Sequence, residues 1–291
     1  MNPVEKVFAD AGVRGWLHAV DIDTGAEVGV DADDAVVTAS VFKVFTLVEL
    51  CRRAALGALD LTTRVPIPAG DRSDGGLGLS AMRDATELSL RDLAYLMISI
   101  SDNHAADVLT QLLGEEPINA TLRSLGLTRS GVVGTCRSWF AQMREDLGIA
   151  AFEEFSAYDD AMVARLRAAR GLNPAHASHT TPREITTLLS RIWRADGLPA
   201  DACAEIRHQL GLQVWPQRLT SGFPRDDVKV SGKTGTVPFV FNEAGVVEYP
   251  DGGRYAVGVF LRLPRMTFRD PVADAAIGAA ARVAVDSLRS R

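Results

Sequence analysis

Lysine is nearly absent from this chain: of 31 basic residues in 291, only Lys6, Lys43, Lys229 and Lys233 are lysines. Arginine stays protonated and cannot serve as a base, whereas a desolvated lysine can lose its proton. A chain that uses arginine elsewhere therefore has a chemical reason to keep lysine at a reactive position. Long apolar runs are also missing. No stretch reaches the roughly eighteen uninterrupted apolar residues of a membrane span, and Met1 to Asp10 lacks the basic and apolar segments of an export leader. As it stands the chain reads as cytoplasmic; a secreted protein trimmed of its leader would read the same. Lys/Arg-dense runs are absent and the net charge is −6, which excludes nucleic acid and anionic membranes as partners. Cys51, Cys136 and Cys203 are odd in number and scattered, fitting neither a disulfide framework nor a paired metal-ligand spacing. Reduced, buried thiols are expected. His176 and His179 lack further ligands, so no metal is expected.

What is present is the composition of a globular protein, 47% hydrophobic and 23% charged, with enough length for a substantial core. Residues 14–22 alternate in a strand-like run, Asp23-Thr24-Gly25 supplies a turn, and Glu27–Val30 returns as a second strand of a hairpin. Thr38 to Leu56 predicts a helix apolar almost all round, closed by Gly57. A second helical stretch runs from Leu88 to Leu113, interrupted at Ser101-Asp102-Asn103 and stopped by Gly114. Thr181 and Pro182 open a helix to Trp193 as cap and first residue, and Asp201 to Leu212 predicts another. After that the period becomes two. Val228–Val230, Thr236–Phe241, Val246–Tyr249 and Tyr255–Leu263 predict strands parted by Gly235, Gly245 and Asp251-Gly252-Gly253, and an Ala-rich helix closes the chain from about Val272 to Leu288. The expected fold is α+β in three layers, α/β/α. An antiparallel sheet built from both termini (1–36 plus 205–291) is flanked by helices, with an inserted helical subdomain (37–204).

Three short motifs carry the chemistry: Ser40-Val41-Phe42-Lys43, Ser101-Asp102-Asn103 and Lys233-Thr234-Gly235. A Ser-x-x-Lys match alone arises roughly once by chance in a chain of this length, but all three in this order arise on the order of once in a thousand such chains. The ordered set therefore outweighs its parts. Serine is a poor nucleophile without an adjacent base, and Lys43 lies one helical turn from Ser40 in apolar surroundings that favour the neutral amine. Free N–H groups at the start of that helix, Ser40's own among them, suit an oxyanion, with Thr236 N–H as the second donor. Ser101 can pass a proton to a leaving nitrogen, and Asn103 can bond a substrate amide. Lys233 and Thr234 can hold a substrate carboxylate, while Gly235 permits close approach of substrate backbone.

With these motifs, the chain resembles the class A serine β-lactamases and the related penicillin-binding proteins. The likeness spans most of the chain and includes the hairpin, the nucleophile helix, the Thr180-Thr181-Pro182 helix entry, and the Lys-Thr-Gly strand with its final helix. It implies an acyl-enzyme on Ser40, with Lys43, Ser101 and Lys233 handling protons and charge. It implies no cofactor; a small-molecule acyl substrate and a monomer are expected. Class A members carry Glu-x-x-Leu-Asn ahead of the Thr-Thr-Pro helix, whose glutamate activates the deacylating water. Here Ala169-Arg170-Gly171-Leu172-Asn173 keeps Leu-Asn, with Asn173 as a substrate contact, but has alanine in place of the acid. The stretch between Ser101 and Pro182 is also longer than the family's. Glu145, Asp146, Glu153, Glu154, Asp159 and Asp160 within it are the candidate substitutes, beside the plainer reading of a solvated helix face. The expectation is acylation by a β-lactam or related cyclic amide or ester, with slow release. A D-Ala-D-Ala peptidase or esterase, and a covalent sensor without turnover, are the alternatives; the missing leader disfavours a cell-wall peptide substrate.

Overall fold

The computed structural model describes residues 2–290. Strands β1 (Arg14–Asp21) and β2 (Glu27–Val30) follow a short helix α1 (Pro3–Asp10), and a two-residue strand β3 (Val36–Val37) leads to a 3-10 turn, Ala39–Phe42. Helix α2 (Lys43–Ala55) is followed by a small hairpin, β4 (Arg64–Ile67) and β5 (Thr86–Ser89). Then come helices α3 (Leu90–Ser99), α4 (Asn103–Leu113), α5 (Glu115–Ser124), α6 (Cys136–Leu147) and α7 (Asp160–Ala168). Strand β6 (His179–Thr180), helices α8 (Pro182–Arg194) and α9 (Ala200–Leu210), strands β7 (Lys229–Val237), β8 (Val240–Glu248) and β9 (Arg254–Arg262), and helix α10 (Pro271–Arg289) complete the chain.

The five-stranded sheet has the order β2-β1-β9-β8-β7, antiparallel throughout, so strands from both termini form one sheet with helices on both faces. On one face α1 and α10 pack through Phe8, Ile277, Ala281 and Val285 against Leu17, Phe241 and Val259. On the other, α2 is buried from Lys43 to Cys51 among α3, α4, α5 and α9. Burying one Leu or Phe side chain contributes about 1.5–3 kcal/mol. With nine consecutive buried residues from Lys43 to Cys51, α2 is thus fixed from every side. Helix α9 runs across residue 205 on the α2 side of the sheet. Among the described residues no helix is long and apolar enough to cross a membrane.

Several element boundaries differ from those read in the sequence. The C-terminal half holds three long strands, with Gly235 and Gly245 inside β7 and β8 and the turn instead at Pro238-Phe239. The period-2 signal fails there because β8 is buried on both faces along nearly its whole length. Gly245 faces its neighbour closely: a β-carbon on it would lie 2.6 Å from Ser231 O. Leu88 and Ser89 belong to β5, whose Ser89 caps α3 by accepting from Asp92 N–H. Helices α1 and α5 have no counterpart among the predicted elements, and of α6 and α7 the sequence shows only the acidic helix face of Glu145, Asp146 and Asp160. The cysteines are all buried and free.

Candidate active site

The turn that carries Ser40 is clamped from two sides. β3 pairs with β6, Thr38 N–H and Oγ1–H both donate to Ser178 O (3.0 and 2.8 Å), and Asn242 Nδ2 donates to the carbonyls of Val37 (2.8 Å) and Thr38 (3.1 Å). Ala39, just before Ser40, takes a left-handed φ of 46°, and Ser101 one of 63°. Such conformations cost on the order of 1–3 kcal/mol and persist only where surrounding contacts enforce them. Strain thus sits at two of the motif segments.

Lys43 is wholly buried, and its Nζ lies 2.7 Å from Ser101 O, 3.2 Å from Ser101 Oγ and 2.8 Å from Asn103 Oδ1. Burial holds its pKa below the ordinary lysine value, against the opposing pull of Cys136, Asp102 and Asp107. Among the described residues it makes no hydrogen bond to Ser40 in this resting state; its bonds tie the first motif to the second. Asp102 caps α4 through His104 N–H (2.9 Å) and Ala105 N–H (3.1 Å) and accepts from Leu79 N–H (2.5 Å), which fixes Ser101 and Asn103 on either side of it. Asn103 Nδ2 donates to Asp74 O (2.8 Å), so its carboxamide is already oriented.

Lys233 is equally buried, its pKa pushed well down by burial first and then by Lys43, and its Nζ donates to Thr234 O (2.9 Å). It therefore sits behind the strand and does not line the cleft. The guanidinium that faces the cleft belongs to Arg218, which no motif identified. Arg218 donates to Gly235 O and Asn242 O (2.9 Å each) and Thr236 Oγ1 (2.8 Å), and pairs with Asp274 (2.7 Å). Thr234 N–H donates to Gln213 Oε1 (2.5 Å), and Gln213 in turn donates to the buried Glu243 (2.7 Å).

Gly235 faces the turn that carries Ser40. A β-carbon on it would lie 2.5 Å from Thr38 O and 3.2 Å from Ser40 N, so this glycine seats the third motif against the first. Gly235→Ala is expected to displace the turn and slow Ser40 acylation by up to about a hundredfold. An acylation rate within twofold of wild type, in a variant with native circular dichroism, would show that the contact does not position the nucleophile.

Ser40, Asn103 and Thr236 line two adjoining cavities. The wider one adds Ser101, Thr234, Arg218 and the start of α10 with Asp270 and Asp274. The narrower adds Phe42, Val133, Cys136, Trp139, Phe140 and Val237, without a carboxylate. The wall of the narrow cavity is set by Asp107 of α4, which accepts from Cys136 N–H (2.6 Å), Arg137 N–H (2.9 Å) and Ser73 Oγ (2.7 Å) and so anchors the start of α6. Burial pushes the Cys136 thiol up to about 12, leaving it a neutral S–H at neutral pH.

The candidate acids lie elsewhere. Glu145 and Asp146 are paired with Arg170 (2.6 Å each), Glu154 accepts from Ala151 N–H (3.1 Å) and Asp159 caps α7 at Met162 N–H (3.1 Å). Glu153 and Asp160 are exposed, and none of the six lines either cavity. Asn173 is also exposed, its Oδ1 accepting from Ala175 N–H (3.0 Å), and is not brought to the cleft. Helix α6, which precedes the Leu172-Asn173 turn, takes up the wall beside Ser40.

A model of the family described as "Beta-lactamase enzyme family" matches residues 1–288. A protein of Streptomyces cacaoi named as beta-lactamase regulatory protein BlaB is 27% identical over 311 residues, covering 99% of this chain and 97% of that protein. Among solved structures, a beta-lactamase from Sphaerobacter thermophilus is 24% identical with a TM-score of 0.79, covering 99% of this chain and 98% of its own. The structure titled PBP-A is 19% identical with a TM-score of 0.77, covering 99% and 96%. These structural likenesses establish the fold.

Proposed function

The chain belongs to the beta-lactamase enzyme family, and from that premise we propose that Ser40 is acylated by a β-lactam, or a related cyclic amide or ester, and releases the acyl group slowly. Ser40 Oγ forms a bond to the carbonyl carbon while its proton passes to the neutral Lys43 amine. Ser101 Oγ, 3.2 Å from Lys43 Nζ, then protonates the leaving nitrogen as the C–N bond breaks and recovers a proton from Lys43. The oxyanion is met by Ser40 and Thr236 N–H groups, and Arg218 with Thr234 lies where a leaving-group carboxylate would sit. Hydrolysis of the ester needs a base for water, and the observation that carries the proposal is the narrow cavity's wall of Cys136, Trp139 and Phe140 where such a base would stand.

The test is stopped-flow mixing with a chromogenic cephalosporin. A burst of about one equivalent per Ser40, followed by a much slower steady rate, is expected. Linear turnover from the first milliseconds would refute slow release.

A second reading, a ligand-trapping sensor, is favoured by one finding: the S. cacaoi relative is named a regulatory protein. Intact-protein mass spectrometry separates the two. A penicillin adduct persisting for hours supports the trap, and loss within minutes supports the hydrolase.

A further inference from the structure

Because Ser101, the proton donor to the leaving nitrogen, lines only the wider cavity, the leaving half of the substrate belongs there. The acyl half is then directed to the narrow cavity on the other side of Ser40. Resting on the acylation reading above, we propose that the narrow cavity is an acyl-group pocket that selects uncharged, flat apolar substituents and rejects ionised ones.

The pocket's make-up carries this. No charged side chain lines it. Arg137, in the first turn of α6, is engaged by Asp71 through its side chain (2.6 Å) and main chain (2.7 Å). Trp139 is held by its indole N–H donating to Gly171 O (3.0 Å), and it meets Phe140 edge to face with ring centroids 5.1 Å apart. The wall is thus a fixed aromatic surface suited to a second ring. Phe42, Val133 and Val237 supply aliphatic and aromatic contact around it. A carboxylate on the acyl substituent would lose its water there without gaining a cation, a cost that an apolar ring does not meet. This partly open cavity has a volume of about 80 Å³, roughly half of the ~150 Å³ apolar cavity that holds a benzene ring. The substituent is therefore gripped in part, and the expected preference is tens of fold.

The experiment compares second-order acylation rate constants, read as adduct mass against time, for three penicillins. Benzylpenicillin carries a phenylacetyl group, carbenicillin adds a carboxylate to that same group, and 6-aminopenicillanic acid lacks the acyl substituent. Benzylpenicillin is expected to react at least tenfold faster than either. Trp139→Ala should shrink its advantage over 6-aminopenicillanic acid at least threefold, and Val237→Lys should shift the preference toward carbenicillin at least fivefold. If Trp139→Ala does not fold, Val237→Lys carries the test. Wild-type rates equal within twofold for benzylpenicillin and carbenicillin, or a ratio unmoved by the folded variants, overturns the pocket assignment while leaving acylation intact. Absence of any adduct with all three overturns the acylation reading and the pocket with it.

Discussion

Lys43→Met is expected to slow penicillin acylation of Ser40 by about a hundredfold to ten-thousandfold, the range supplied by a positioned general base. Methionine keeps the length and apolar character of a side chain that is already wholly buried, so loss of activity would report loss of the amine. The same amine holds the carbonyl and hydroxyl of Ser101 and the carboxamide of Asn103, so part of the loss will come from those groups relaxing. A pH profile separates the two contributions. Burial lowers the folded-state pKa of Lys43, so the base is neutral above that lowered value and protonated below it. Wild-type acylation should therefore fall as pH drops through that value, and the residual activity of the methionine variant should lack this limb. The linked stability follows the same sign: between the lowered pKa and the ordinary lysine value the unfolded chain binds more protons, so this group's contribution to stability rises with pH. Undiminished labelling of the folded methionine variant would end the assignment of Ser40 and Lys43 as nucleophile and base.

Cys136→Glu is the second variant with a large expected effect, and it acts in the opposite direction. The thiol is the first residue of α6, after the Thr135 cap, and lines the cavity shared with Ser40. A carboxylate there gains from the helix N-terminus, which offsets part of its desolvation and of the repulsion from Asp107. Standing beside the ester, it would supply the base that water lacks. Deacylation is expected to accelerate by about a hundredfold or more, converting a burst into turnover. Acylation should slow by a few fold, because a new anion raises the Lys43 pKa. Cys136→Ser, polar but not basic, should leave the adduct lifetime close to wild type. An unchanged lifetime in folded Cys136→Glu would mean that the absent base is not what retains the acyl group.

The core of the candidate site was legible in the sequence because its logic is local. Ser40 and Lys43 are one helical turn apart, Asp102 caps the helix beside Ser101, and the apolar stretch from Val41 to Cys51 announces the burial that alters the lysine. Hairpin, nucleophile helix and final helix were legible for the same reason, each having a clear period and a stop signal. Gly235 and Gly245 misled: a glycine in a strand packed against another backbone carries the same letter as one in a turn. Helix α5 escaped notice and α6 and α7 showed only their acidic face, α7 burying only Leu166 and so showing no apolar stripe.

The wall of the cleft could not be read at all. Cys136 and Trp139 share a cavity with Ser40 where Asp107, in another helix, captures the start of α6, and Arg218 is held at the cleft by carbonyls of β7 and β8 together with Thr236 and Asp274. Neither contact has a sequence period, since each joins segments whose separation along the chain is arbitrary. The sequence by itself determined which residues are candidates for acylation, because a serine and a lysine three residues apart can share one helical turn. Only the tertiary structure decided what surrounds Ser40, because water access and desolvation depend on how distant segments close over it.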